Sequence, residues 1–438
     1  MVEIHVPPSM AGHEEAWHEL SAAILRHEAA IPERLQVALA TARCSPAVHA
    51  AKGLMLMLAG RREAREEAQR THAHAARLVS GVRSAHDEVL VAALGDWLAG
   101  APSAGAARLE RWLDDAPGDA LALKLAQAIR FIVGDAVAMR ACAERHAPAF
   151  CDAHPFAGYV QGCLAFAREE TFAYEGALTA GRRALELASD DAWGLHALAH
   201  VHEMTGRARE GRDLIAANGA AYAGCSTFRH HVEWHAALFH LELGEPEAAL
   251  GVYDTAVRCE ATDDYRDVAN AVSLLARLAG DGVDVGSRWD ELADLAERRI
   301  GDGCIVFADL HYLMALLATG RTEAASRLGA RLAGEDGGTE LGRVAVEAGA
   351  PVAAGLAAAS AGRHDAALRE LLRARPAFQR IGGSHAQRDV FVRITIDAAV
   401  RAERFDTAAR LIEERAAERG HDRFARSRLA RCPSPVPS

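Results

Sequence analysis

The sequence predicts an all-α protein built as an α-solenoid, a right-handed superhelix of stacked helix pairs. Three observations predict it. Ala, Leu, Glu and Arg fill nearly every segment, while the alternating Val, Ile, Thr and aromatic pattern of strands is almost absent. Apolar residues recur at helical spacing, as where Leu185, Leu187 and Ala192 run into Leu195, Leu198 and Val201. The breaks between helices also resemble one another and return at a regular interval.

Those breaks read LAGRREA at 58–64, IVGDAVA at 132–138, MTGRARE at 204–210, LELGEPEAA at 241–249, LATGRTEAA at 317–325 and SAGRHDAA at 360–367. In each, a helix ends, a glycine follows, and a polar helix start comes next. Glycine just past a helix end takes the left-handed conformation that satisfies the last carbonyls. Gly206 and Gly244 are 38 residues apart, Gly320 and Gly362 are 42, and Gly244 and Gly320 are two pairs apart at 76. Periods of roughly 34–42 residues belong to helical solenoids, in which each pair buries its face against the next. Small residues such as Ala248 and Ala249, where the second helix crosses the first, are features of tetratricopeptide repeats.

Residues 1–85 are less regular. HEEAWHELSAAILRHE and SPAVHAAKGLMLMLAG still read as helices, and the segment is expected to form an N-terminal helical cap. The repeat array is expected over 86–425, with loops near 148–156, 218–226 and 333–340. The stretch RSRLARCPSPVPS, 426–438, has Pro and Ser and no apolar period, so a disordered tail is expected there.

Half of the 438 residues are apolar, enough for a large core. The net charge is −11 and Lys and Arg are scattered, which gives no basic footprint for a phosphate backbone and argues against nucleic-acid binding. The eight cysteines form no C-x-x-C pair, so they read as small buried residues of a reducing compartment. No charged n-region followed by an apolar stretch opens the chain, and no run of about 18 apolar residues occurs. The expectation is a cytoplasmic protein without a membrane partner.

Histidine is frequent, with 21 copies, and its placement carries the functional reading. In WGLHALAHVHEM, 193–204, His196 and His200 are four apart and share a helix face, with Glu203 a turn further on, while His202 points elsewhere. In FRHHVEWHAALFHLELG, 228–244, His231 and His235 repeat the spacing, each 35 residues after its counterpart. First helices of successive pairs lie side by side, about 8–10 Å apart. Equivalent positions therefore face one groove, and four imidazoles can meet there with Glu203 and Glu233 nearby. Further polar groups recur in the same register: Tyr159, Glu169 and Glu170 upstream, Asp309, His311, Gln387, Arg388 and Asp389 downstream.

Each histidine also has a structural reading, packed in the core and bonded to a backbone carbonyl. His-x-x-x-His places two nitrogens on one face, as zinc sites need, so His196, His200, His231 and His235 are candidate ligands of a divalent metal. The H-E-x-x-H pattern is absent, since the segments read HALAH and HVEWH. The same imidazoles could serve as proton carriers. Trp193, Trp234 and Trp289 read first as packing residues. Ser384 is a candidate N-cap, and a helix start near Arg388 could receive an anion or hold an Arg388–Asp389 surface network. No phosphate-loop, dinucleotide-fold or nucleophile-elbow motif is present.

WGLHALAHVHEMTGR, HHVEWHAALFHLELGEPEAALGVYD, FADLHYLMALLATG and GGSHAQRDVF resemble the tetratricopeptide repeat protein 38 family, whose bacterial relatives also carry a StaR-like label. The resemblance covers roughly residues 15–420 and is weakest in the N-terminal hundred. It implies a helical-repeat protein of undefined biochemical role. By motif match it implies that His196, His200, Glu203, His231, Trp234, His235, Asp309, His311, Gln387, Arg388 and Asp389 are characteristic positions, with Glu169, Glu170 and Thr171 as a further patch. His385 departs from the family pattern, which has Asn or Asp there, and is left out.

Two functions follow as expectations. One is a binding protein whose inner groove takes a peptide, a protein segment or a small molecule through Glu170, His196, His200, Glu203, His231, Trp234, His235, Asp309, His311, Gln387, Arg388 and Asp389. The other is a small-molecule enzyme, metal-dependent or not, that uses the His/Glu cluster.

Overall fold

The computed structural model describes residues 8–81, 84–335 and 337–432. Among them are twenty-four α-helices and no strand, with one isolated bridge between Glu28 and Cys225. The all-α, tetratricopeptide-like expectation holds. Eleven helix pairs run from Pro8–Leu25 with Ile31–Thr41 to His385–Arg401 with Phe405–Arg419, and Arg423–Leu429 follows alone. In the tenth pair the first helix runs from Glu340 to Ser360 with a wider turn at Ala345–Gly349. This 21-residue segment is long and apolar enough to span a membrane. Here most of it is buried, packed against Val306, Leu332 and Leu371.

Each pair turns through a residue of positive φ just after its first helix: His27, Gly60, Gly100, Gly134, Phe172, Gly206, Gly244, Gly282, Gly320, Gly362 and Glu403, with a second at Gly286 in the eighth pair. The intervals are 33 to 42 residues. Sequence reading found the glycines at 60, 134, 206, 244, 320 and 362. It missed the glycine turns at Gly100 and Gly282 and those at His27, Phe172 and Glu403, where a side chain accepts the left-handed conformation. The two N-terminal pairs carry the same turn, and their apolar residues belong to one core cluster that runs from Ala16 to Phe391.

The superhelix closes on itself. Arg62 N–H donates to Asp302 over 240 residues, Ser103 N–H donates to Glu340 at 3.0 Å over 237, and Tyr174 Oη donates to the Glu418 carbonyl at 3.0 Å over 244. Gly134 lies against the Gln379 carbonyl and Gly382 against the Ile132 carbonyl. One turn of the superhelix thus meets the next after about 240 residues, and the face that an open solenoid would offer as a groove becomes an interior.

Both ends help to seal it. At the N-terminal end, Ala29 N–H donates to the Gly224 carbonyl and Ser226 N–H to the His27 carbonyl, each at 3.0 Å. At the other end, Arg415 pairs with Asp389 at 2.6 Å and with Asp422 at 2.6 Å, and Arg419 reaches Glu203 at 3.0 Å. The stretch read from sequence as a disordered tail is helical through Leu429, and Arg428 is buried against Asp397, Asp281 and the Gly280 carbonyl. An arginine-rich turn lacks an apolar period because its charges are spent on partners. Residues 433–438 of that expected tail lie outside the described residues.

The closure predicts an asymmetry between two glycines of equal φ. Gly134 and Gly206 have φ of 71° and 69°, but a Cβ at 134 would overlap the Gln379 carbonyl while nothing lies within 4 Å of one at 206. Gly206→Ala is expected to cost about 1–2 kcal/mol from backbone conformation alone. Gly134→Ala is expected to cost about 1–3 kcal/mol more from overpacking. Parallel thermal unfolding checks this, and equal midpoints for the two variants would contradict the closure.

Candidate functional site

The Ala192–Met204 and Phe228–Leu243 helices are first helices of adjacent pairs, and they bring the four predicted histidines together. One nitrogen from each of His196, His200, His231 and His235 lies within 4.8 Å of the others. His196 Nε2 is 2.9 Å from His231 Nε2 and 2.9 Å from His200 Nε2. His196, His200 and His235 are buried, and His231 keeps some exposure toward an adjacent cavity. Phe166 packs on His196 and His200, and the Trp234 ring stacks on His231.

Three of the four outer nitrogens face an acceptor, and His196 Nδ1 is buried without one. His235 Nδ1 is 3.1 Å from Glu203 Oε2, and His200 Nδ1 is 3.4 Å from Glu169 Oε2, an ion-pair distance rather than a hydrogen bond. His231 Nδ1 is 3.1 Å from Asn270 Oδ1. A relay fixes that last contact. The Ser384 N–H donates to Gln387 Oε1, which turns Gln387 Nε2 toward Asn270 Oδ1 at 3.3 Å. The Asn270 oxygen therefore faces His231, and His231 carries its proton on Nδ1.

Burial governs the protonation of the cluster. It drives His196 and His231 well below the usual imidazole range, helped by the neighbouring rings, and takes His235 down to about 4. Burial also pulls on His200, but the Glu169 carboxylate outweighs it and lifts that imidazole above its ordinary value. Burial opposes ionisation of Glu203, yet the His235 hydrogen bond and Arg419 hold it well below the usual carboxylate range.

Other predicted residues take distinct places. Gln387 belongs to the relay, and Ser384 caps its helix, with the Gln387 side chain returning the bond. Glu170 accepts from the His385 N–H at 3.0 Å and lies 3.4 Å from Arg388. Asp389 is held by Arg415 and Arg419 and belongs to the C-terminal clasp. Trp234 is fully buried, with Arg277 over its ring at 5.5 Å. Asp309 and His311 are buried outside the cluster: Asp309 pairs with Arg331 at 2.6 Å, and His311 Nδ1 meets the Phe307 carbonyl at 2.7 Å. Burial raises Asp309 to about 6 and lowers His311 to about 4. His385, which sequence reading set aside, sits beside Glu170 under the Phe172 ring.

Sequence reading missed Asn270, although it lies 35 residues after His235, in the register of His200 and His235. It also missed Arg415 and Arg419, whose signal is tertiary. Beside the cluster is a cavity of about 270 Å³. Its walls include Met55, Leu58, Phe131, Trp193 and Phe228, and His196, His231 and Gln387 border it. His27 also lines it and stacks on both Trp193 and Phe228.

No family model matches the chain. Among solved structures it is similar to a human IFIT1 dimer with m7Gppp-AAAA, at 14% identity over 98% of this chain and 95% of that chain, with a TM-score of 0.46. The same human protein with PPP-AAAA matches at 14% identity over the same shares, with a TM-score of 0.45. The P58(IPK) TPR domain matches at 15% identity over 79% of this chain and 96% of that domain, with a TM-score of 0.22. The ligands of those complexes belong to those proteins, and the helical-repeat architecture here stands on this chain's own helix pairs.

The clasp predicts an acid dependence. Despite burial, Asp389 lies far below its ordinary value beside Arg415, Arg419 and Arg393, and the same three arginines bring Asp422 to about 2. Depressed carboxylates contribute fully above the unfolded value of about 4, and the contribution is lost as pH falls through the folded values. The thermal midpoint is expected to drop between about pH 5 and pH 2. Asp389→Asn is expected to be less stable at pH 7 and to show a shallower fall, and an unchanged slope would contradict this assignment.

Proposed function

We propose that this helical-repeat protein binds a small organic molecule inside its closed superhelix, beside the imidazole cluster. The observation that carries the reading is the 270 Å³ cavity, aromatic on its walls and bordered by His196, His231 and Gln387. Small-molecule sites are concave and mostly apolar, with a few polar groups that orient the ligand, and about 300 Å³ is the lower end of their size. The ligand this suits is compact, with an aromatic or aliphatic body between Trp193, Phe228 and Phe131 and a polar end toward the imidazoles. A peptide needs a long open groove, and the burial of His196, His200, His235 and Gln387 weighs against one. The resemblance to the tetratricopeptide repeat protein 38 family, carried by the four quoted motifs, is compatible with this reading. Eight free cysteines suit the reducing cytoplasm as its location.

A second reading is an enzyme acting on that molecule. It is favoured by the anchoring of His231 by Asn270 and of His235 by Glu203, since a general base needs a fixed tautomer.

Ala128 lines the cavity, and Ala128→Phe is designed to fill it. In a thermal-shift screen of small metabolites the wild type is expected to be stabilised by at least one compound, and the folded variant by none. A peptide that binds the wild type while no metabolite does, or equal ligand response in Ala128→Phe, would contradict the proposal.

A further inference from the structure

We propose that His196, His200, His231 and His235 bind one divalent transition-metal ion of the zinc class through their Nε2 atoms. This goes beyond the cavity reading and does not depend on any organic ligand.

The argument begins with protons. The contact with Asn270 places the His231 proton on Nδ1, the contact with the Glu203 carboxylate oxygen does the same for His235, and the Glu169 carboxylate faces Nδ1 of His200. These three histidines therefore turn the Nε2 lone pair inward when neutral. His196 Nε2 has two such neighbours, each at 2.9 Å. One hydrogen on His196 satisfies only one of them. An extra proton on His200 fills its contact with His196 but leaves His196 and His231 with lone pairs facing. A single proton thus cannot satisfy the three nitrogens, whereas one cation that accepts every lone pair can. His235 Nε2 is buried without a hydrogen-bond partner and completes the set.

Geometry agrees. Metal–nitrogen bonds of about 2.0–2.1 Å in a tetrahedron put ligand nitrogens about 3.3 Å apart. The observed separations, from 2.9 Å to a limit of 4.8 Å, bracket that value, so small ring rotations suffice. Glu169, Glu203 and Asn270 behind the rings are the outer partners that orient metal-bound histidine and raise its basicity. Charge agrees as well. Glu203 is paired with Arg419, but the buried Glu169 carboxylate has no hydrogen-bond partner on either oxygen, and a dication nearby would offset it. Four imidazole donors select zinc, cobalt, nickel or copper over the oxygen-seeking calcium and magnesium.

The test uses the full chain, stripped with a chelator and titrated with Co²⁺ in the absence of organic ligands. The expected result is one ion per chain, intense visible absorption of tetrahedral cobalt, and displacement by one equivalent of Zn²⁺. His200→Gln with His235→Gln is expected to abolish the absorption and to weaken Zn²⁺ binding by more than about 100-fold. Asn270→Ala, which leaves all four ligands in place, is expected to weaken it by about 10–100-fold, and this holds the proposal to account if the double variant fails to fold. Absence of stoichiometric uptake by the wild type, cobalt bound only with the weak spectrum of an octahedral aquo site, or unchanged affinity in the folded double variant or in Asn270→Ala would overturn it. Ala128→Phe is expected to leave metal uptake unchanged, so loss of the organic ligand and loss of the ion are read separately.

Discussion

Closure of the superhelix is the constraint on which the rest of this molecule depends. A stack of helix pairs that stayed open would leave its first helices lining a wet groove. Here the turn at Gly134 packs against the Gln379 carbonyl and Ser103 meets Glu340, so that groove becomes interior. Interior polar groups lose water and must find partners in the protein. Their pairings explain much of what lies inside: Asp389 with Arg415 and Arg419, Glu203 with Arg419 and His235, Asn270 with His231 and Gln387. Two of them, Glu203 with Arg419 and Asn270 with Gln387, join residues 216 and 117 apart in the sequence, which ties the burial of the site to contacts between distant turns of the superhelix.

Within that interior, position decides protonation. A backbone N–H at Ser384 fixes the Gln387 amide, which fixes the Asn270 amide, which fixes the proton on His231. The relay crosses from the eleventh helix pair to Asn270 in the eighth, the pair just after those that carry the histidines. The C-terminal part of the chain thereby sets the chemistry of a cluster that the middle of the chain supplies. Arg419 does the same through Glu203 for His235. The helices hold the rings in place, and the closure determines which face of each ring carries a lone pair.

Much of this was legible in the sequence, for a local reason. Helix formers, glycine turns and the 35-residue offset of two His-x-x-x-His pairs are short-range signals, and they predicted both the fold and the meeting of His196, His200, His231 and His235. Asn270 obeys the same offset but lacks the rarity that makes histidine stand out. Phe172 and Glu403 turn their pairs without glycine, so those two turns carry no glycine signal. Asp309 and His311 lie in register and yet outside the cluster, because Asp309 turns to Arg331 on the following helix and His311 bonds back to the Phe307 carbonyl. The closure itself depends on contacts across some 240 residues, Arg419 reaches Glu203 over 216 and the helix through Leu429 reaches Asp281 over 147, and no periodicity announces any of these.

The small-angle X-ray scattering profile of the full chain tests the closed superhelix most directly. A closed chain of 438 residues is expected to show a radius of gyration near that of a compact domain of its length, about 22 Å, with a single-peaked distance distribution. An elongated distribution with a much larger radius would mean an open solenoid. The imidazoles would then line a wet groove, and the account of a buried, proton-ordered site would fail.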